Sequence, residues 1–119
     1  MRWFGLITTA IILASCSSEV EVKNVDCNQH NEIIKSKEAA FVEFGYDAQL
    51  IQDLIVLYAT YANFCREDSL TPEYLMRRAD LLRGSGKIRQ AISQFKDVHD
   101  SYPSYQNKIT CAFIAAFLY

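Results

Sequence analysis

Residues 71–103 read TPEYLMRRADLLRGSGKIRQAISQFKDVHDSYP, and this stretch decides the fold. Thr71 and Pro72 open it with a helix-capping residue followed by proline at the first helical position, where the missing N–H has no partner to lose. Leu75, Ala79 and Leu82 then recur at helical spacing, and Gly84, Ser85 and Gly86 break the run with a residue suited to the left-handed conformation that ends helices. Ile88, Ala91, Ile92, Phe95, Val98 and Tyr102 form a second apolar face before Pro103 closes the segment. Two helices joined by so short a turn lie antiparallel.

Working outward, Asp47 is a good N-cap, and Leu50, Ile51, Leu54, Ile55, Tyr58, Tyr61, Ala62 and Cys65 follow at three- and four-residue steps. This predicts an amphipathic helix with a wide buried face. A shorter helix is expected over 31–44, where Ile33, Ile34, Lys37, Phe41 and Phe44 are loosely periodic and Gly45 ends the pattern. A last helix is expected over 109–119, a run that is almost wholly apolar. Strand-like alternation of useful length is missing, so the domain is expected to be all-α.

The segment from Pro72 to Pro103 resembles a tetratricopeptide repeat, a helix-turn-helix unit of about 34 residues. Leu75, Ala79 and Leu82 match the large, small and large positions of its first helix, and Gly86 matches the turn glycine. Ala91, Phe95 and Pro103 match the small, aromatic and proline positions of its second half, while Leu75 stands where an aromatic residue is usual. Ala79 and Ala91 let the two helices approach, and Phe95 and Ile88 are expected to fill the groove between them. Leu54, Tyr58 and Tyr61, with Phe64 one turn on, look like the second helix of a preceding unit. Ala112, Ala116 and Tyr119 look like the first helix of a following one, residues 79–82 realigning with 116–119 at a shift of 37. The resemblance therefore implies a short α-solenoid, one complete repeat flanked by partial ones.

Such arrays bind peptides on the concave side through first-helix residues that point away from the hairpin core. The resemblance puts Glu73, Met76, Asp80 and Arg83 there, a set fitted to a segment with both apolar and charged groups. The lysine and asparagine pattern that clamps a peptide's terminal carboxylate in some relatives is missing. The run DSLTPEYL at 68–75 also resembles small tetratricopeptide lipoproteins of the Bacteroidetes, which are similar to envelope proteins that assist outer-membrane assembly and envelope constriction. Within it, Asp68, Ser69 and Leu70 resemble the O-glycosylation signal of exported Bacteroidetes proteins, with Ser69 as acceptor; a polar helix-entry loop accounts for the same residues.

The amino terminus fits export. Met1 and Arg2 precede an uncharged, largely apolar stretch, WFGLITTAIIL at 3–13, which is the layout of a signal peptide. That stretch falls well short of the roughly 20 residues a transmembrane helix needs. Leu13, Ala14, Ser15 and Cys16 resemble the lipobox of bacterial lipoproteins, which implies removal of residues 1–15 and acylation of Cys16. Two or more acyl chains hold a protein stably on a membrane. Ser17, not aspartate, follows Cys16, which in the Gram-negative sorting pattern favours the outer membrane on its periplasmic side. Residues 16–30 are polar and aperiodic after the anchor and read as a flexible tether, leaving 31–119 as the helical domain.

Cleavage leaves 104 residues, enough for one small domain, with eleven Lys and Arg against fourteen Asp and Glu. That balance argues against nucleic-acid binding, which needs a basic footprint. Cys27, Cys65 and Cys111 remain, an odd number from which no disulfide framework follows, and Cys65 and Cys111 read best as small apolar packing residues on helices. The spacing of Cys, His30 and His99 implies no metal site. Arg77, Arg78, Arg83, Lys87 and Arg89 form a basic patch around one hairpin, fitted to anionic headgroups or an acidic segment, though a solvated face is the commoner meaning of such a run. Most of the tyrosines fall on packing faces. The apolar run at 111–119 has no polar cap, which repeat arrays need for solubility. It implies a chain shorter than its relatives, the preferred reading, or cover by a partner or by a second copy in a homodimer. Nothing resembles a nucleophile with its base, a carboxylate pair or a phosphate loop. The expectation is a lipid-anchored scaffold, not an enzyme and without a cofactor, that contacts a protein partner in the cell envelope. The rival is an accessory or substrate-binding lipoprotein with a pocket between hairpins.

Overall fold

The computed structural model describes residues 26–119, so the signal peptide expected over 1–15, Cys16 and most of the expected tether lie outside the described residues. Five helices follow one another: α1 (Cys27–Phe44), α2 (Ala48–Phe64), α3 (Thr71–Gly84), α4 (Ile88–Ser101) and α5 (Lys108–Leu118). The described residues are all-α and contain no strand. Packing runs between consecutive helices, α1 on α2, α2 on α3, α3 on α4 and α4 on α5.

Local chemistry explains most boundaries. The Asp47 carboxylate accepts from the Leu50 N–H at 2.9 Å, capping α2 as its sequence predicts. Between α3 and α4, Gly86 adopts φ 81°, Lys87 N–H donates to the Leu82 carbonyl at 2.9 Å, and Gly86 N–H donates to that of Arg83 at 3.1 Å. Those two bonds satisfy carbonyls left open at the helix end, and the positive φ suits glycine.

Two boundaries differ from expectation. Helix α1 begins at Cys27, not at residue 31, capped by the Asp26 carboxylate on the Asn28 N–H at 2.9 Å. Residues 27–30, read as the end of the tether, are therefore helical: Cys27, Asn31 and Ile34 share one face, a pattern too polar to register as periodic. Thr71 is not the N-cap of α3; Leu70 holds that position, and Thr71 lies fully buried with its hydroxyl donating to the Cys65 carbonyl. A tertiary acceptor captures the hydroxyl that a local cap would have used.

Helix α2 carries two buried faces. Ile51 and Ile55 join Leu75, Ala79, Leu82, Ala91, Phe95, Val98, Cys111 and Ala115 in the larger core. Leu54, Tyr58, Tyr61 and Cys65 join Ile34 and Tyr74 in a smaller one. Ala79 and Ala91 are both fully buried, as close approach of α3 and α4 requires. Ile88 is 37% exposed and fills no groove; it stands at the turn, beyond the point where the two helices meet. Ile33, Phe44 and Phe64 are likewise exposed, so the buried stripe of α1 centres on Ile34 and the contact face of α2 ends before Phe64.

Helix α5 packs in a register one residue from the expected one. Cys111 and Ala115 are buried and Leu118 packs against the core, whereas Ala116 and Tyr119 are exposed. The small residue that α5 buries is thus Ala115, one position before the expected Ala116. In so apolar a helix the sequence offers several faces of similar hydropathy, and contact with α4 selects among them. The face left outside holds Ile109, Phe113 and Phe117, each at least 70% exposed.

Candidate functional site

Cys27 and Cys65 form a disulfide, which corrects the reading of Cys65 as a free packing residue. The bond joins the first turn of α1 to the residue that caps α2, a pairing of distant segments that spacing alone does not reveal. Cys111 is free and buried, and burial pushes its thiol pKa up, so it behaves as a small apolar group.

Beside the disulfide lies a cluster of tyrosines. Tyr74 stacks on Tyr58 with ring centroids 5.3 Å apart and meets Tyr61 edge-on at 5.1 Å. The Tyr58 hydroxyl donates to the Glu38 carboxylate at 2.6 Å, as does the Arg77 guanidinium at 2.6 Å, and the Tyr74 hydroxyl donates to the Asn31 side-chain oxygen. Burial, then Glu38, drives the Tyr58 phenol far above its usual pKa; burial, then Asp68, pushes Tyr61 up to about 12. The polar groups of this cluster bond one another, and its role is to fasten α1 onto α2 and α3. Tyr46 and Tyr119, by contrast, are exposed and belong to no packing face.

The four residues assigned to a concave face lie along α3, but two of them are engaged by Tyr105. Its hydroxyl donates to Glu73 and lies 3.2 Å from the Met76 sulfur, and burial, then the Glu73 hydrogen bond, pushes its pKa up to about 12. Asp80 and Arg83 pair with each other on the exposed surface. Tyr105 therefore covers the start of that face, a contact that loop residue's sequence position does not signal.

The five basic residues do not form one patch. Arg77 reaches Glu38 on α1 and pairs with Glu73 one turn back on α3; burial lowers its pKa, but these two carboxylates outweigh that and raise it. Arg78 turns the other way, donating to the Ile55 carbonyl at 3.1 Å and to Gln94 at 2.6 Å, with burial lowering its pKa. Arg83 is held by Asp80, which leaves Lys87 and Arg89 exposed at the turn without an ion pair among the described residues. Adjacent residues on a helix point about 100° apart, and that divides Arg77 from Arg78.

Ser69 is exposed in the loop between α2 and α3, and Asp68 beside it accepts from the Leu70 N–H at 2.8 Å. This loop forms one end of an open groove of about 1110 Å³ between α2 and α4. Ala59, Ala62, Pro72 and Leu75 give it an apolar floor; Asn63, Arg66 and Glu67 line one side, Gln94, Asp97 and Tyr102 the other. The signal for it in the sequence is slight: Ala59 and Ala62 are small residues on the otherwise bulky apolar side of α2. Among the described residues no group of His, Cys, Asp and Glu is placed to hold a metal ion, and no helix is long and apolar enough to cross a membrane. The chain matches no known protein family, no curated protein and no solved structure.

Proposed function

We propose that this protein is a lipid-anchored scaffold of tetratricopeptide type that acts by protein contact in the bacterial cell envelope. The observation that carries the reading is the open groove flanked by α2 and α4, with its polar side chains spread along solvent-facing walls. An enzyme or small-molecule carrier needs buried polar groups converging on an enclosed cavity. Here the Tyr58 and Tyr74 hydroxyls and the half-buried Glu38 carboxylate are taken up by bonds among Glu38, Asn31 and Arg77, and none of these residues lines the groove. A pocket-bearing accessory lipoprotein is the weaker alternative for that reason.

The repeat assignment draws support from burial. Leu75, Ala79 and Leu82 on α3 are matched by Cys111, Ala115 and Leu118 on α5; Ala91, Phe95 and Val98 on α4 are matched by Leu54, Tyr58 and Tyr61 on α2. Export draws support from the Cys27–Cys65 disulfide, since such bonds persist in oxidising compartments. Anchoring rests on Cys16 and its lipobox-like neighbours.

A photo-crosslinking residue placed at Gln94 in the groove or Asp80 on the other α3 face, in the native host, tests the contact role. A discrete crosslinked product from at least one position is expected; none from either would sink the scaffold reading. Fractionation of Cys16→Ser tests the anchor separately, the variant being expected to leave the membrane fraction.

A further inference from the structure

The groove's charges are unbalanced in one direction. Glu67 and Arg66 are exposed and form no ion pair among the described residues, and Asp97 accepts only from neutral groups, Gln94 at 3.3 Å and Ser101 at 3.1 Å. Asp68 accepts from the Leu70 N–H, while Arg78 is tied to the Ile55 carbonyl and Gln94, and Glu73 to Arg77 and Tyr105. Charge without an ion pair at the groove is therefore three carboxylates, Glu67, Asp68 and Asp97, against two guanidiniums, Arg66 and Arg78, and the balance is negative. Between them lies the apolar floor of Ala59, Ala62 and Leu75.

We propose that this groove docks a peptide segment carrying lysine or arginine beside an apolar side chain. The apolar side chain rests on Ala59, Ala62 and Leu75, and the cations meet Glu67 and Asp97 from opposite walls. Both walls and Tyr102 line the same groove. Charge complementarity of this kind sets specificity and encounter rate. The inference rests on the contact-scaffold reading and names the chemistry of the contact.

Fluorescence anisotropy of the full chain in mild detergent, with a labelled nine-residue peptide alternating lysine and leucine, tests it. Binding is expected to exceed that of the glutamate–leucine counterpart, and to fall about tenfold or more in the double variant Glu67→Lys/Asp97→Lys. Glu43→Lys, exposed on α1 away from the groove lining, should leave it unchanged, and circular dichroism melts show whether the double variant still folds. Equal binding of both peptides, no binding of either, or binding indifferent to the double reversal in a folded protein would overturn the proposal. Self-association lost on Lys87→Glu/Arg89→Glu would place a second copy's basic turn in the groove instead, and would also overturn it. If the crosslink at Gln94 persists while the lysine peptide fails to bind, the scaffold reading stands and only the ligand class falls.

Discussion

Tyr58, Tyr61 and Tyr74 carry polar hydroxyls into the smaller core, and the consequence is a dependence on alkaline pH. A phenol is neutral when protonated, and Tyr61 is 1% exposed with a pKa raised from 10.0 to about 12. The folded state thus holds this proton more tightly than the unfolded chain. Its stabilisation is fully present below pH 10 and is lost as pH climbs to about 12. Urea titrations at rising pH should show a loss on the order of 2 kcal/mol from this group, with Tyr58 adding in the same direction. Tyr61→Phe should flatten that alkaline limb. Tyr58→Phe removes a hydrogen bond to a carboxylate and should cost about 1–2 kcal/mol at neutral pH, read from the urea midpoint. Burial of the Tyr58 and Tyr61 rings was legible in the helical spacing of 54, 58 and 61; that of Tyr74, which lies beside the stripe of Leu75, Ala79 and Leu82, was not, nor were the hydroxyl partners Glu38 and Asn31, because α1 meets them only through tertiary packing.

At the scale of elements, the hairpin of α3 and α4 was the most legible part. Proline at a helix start, small residues at the crossing and glycine at the turn each have a local physical cause, so they survive without knowledge of the rest. Gly86 holds φ 81° with no heavy atom within 4 Å of where a Cβ would sit. Gly86→Ala should therefore cost about 1–2 kcal/mol through backbone strain alone, with no clash, as a lower thermal midpoint at unchanged helicity. Helix α5 is the opposite case. Its apolar residues surround the axis, so the sequence chose a register one residue away from the one that packing selects.

Over the whole molecule, helices contact their neighbours in order, and the weakest link is α1, whose only buried residue is Ile34. The disulfide compensates by closing a loop across 38 residues, which restricts the unfolded chain. Cys65→Ser should cost about 2–4 kcal/mol, and a reducing agent should lower the thermal midpoint of the parent but not of that variant. Alkylation of the denatured, unreduced protein should label Cys111 and leave Cys27 and Cys65 unmodified.

The sequence by itself determined the all-helical class, the α2 cap at Asp47, the α3–α4 turn at Gly86 and the burial of Ala79 and Ala91, because each follows from short-range chemistry. Only the tertiary structure decided which cysteines pair, where Thr71 sends its hydroxyl, how the five basic residues divide, and that a groove opens between α2 and α4. Those outcomes depend on which distant side chains meet, and spacing along the chain does not record that.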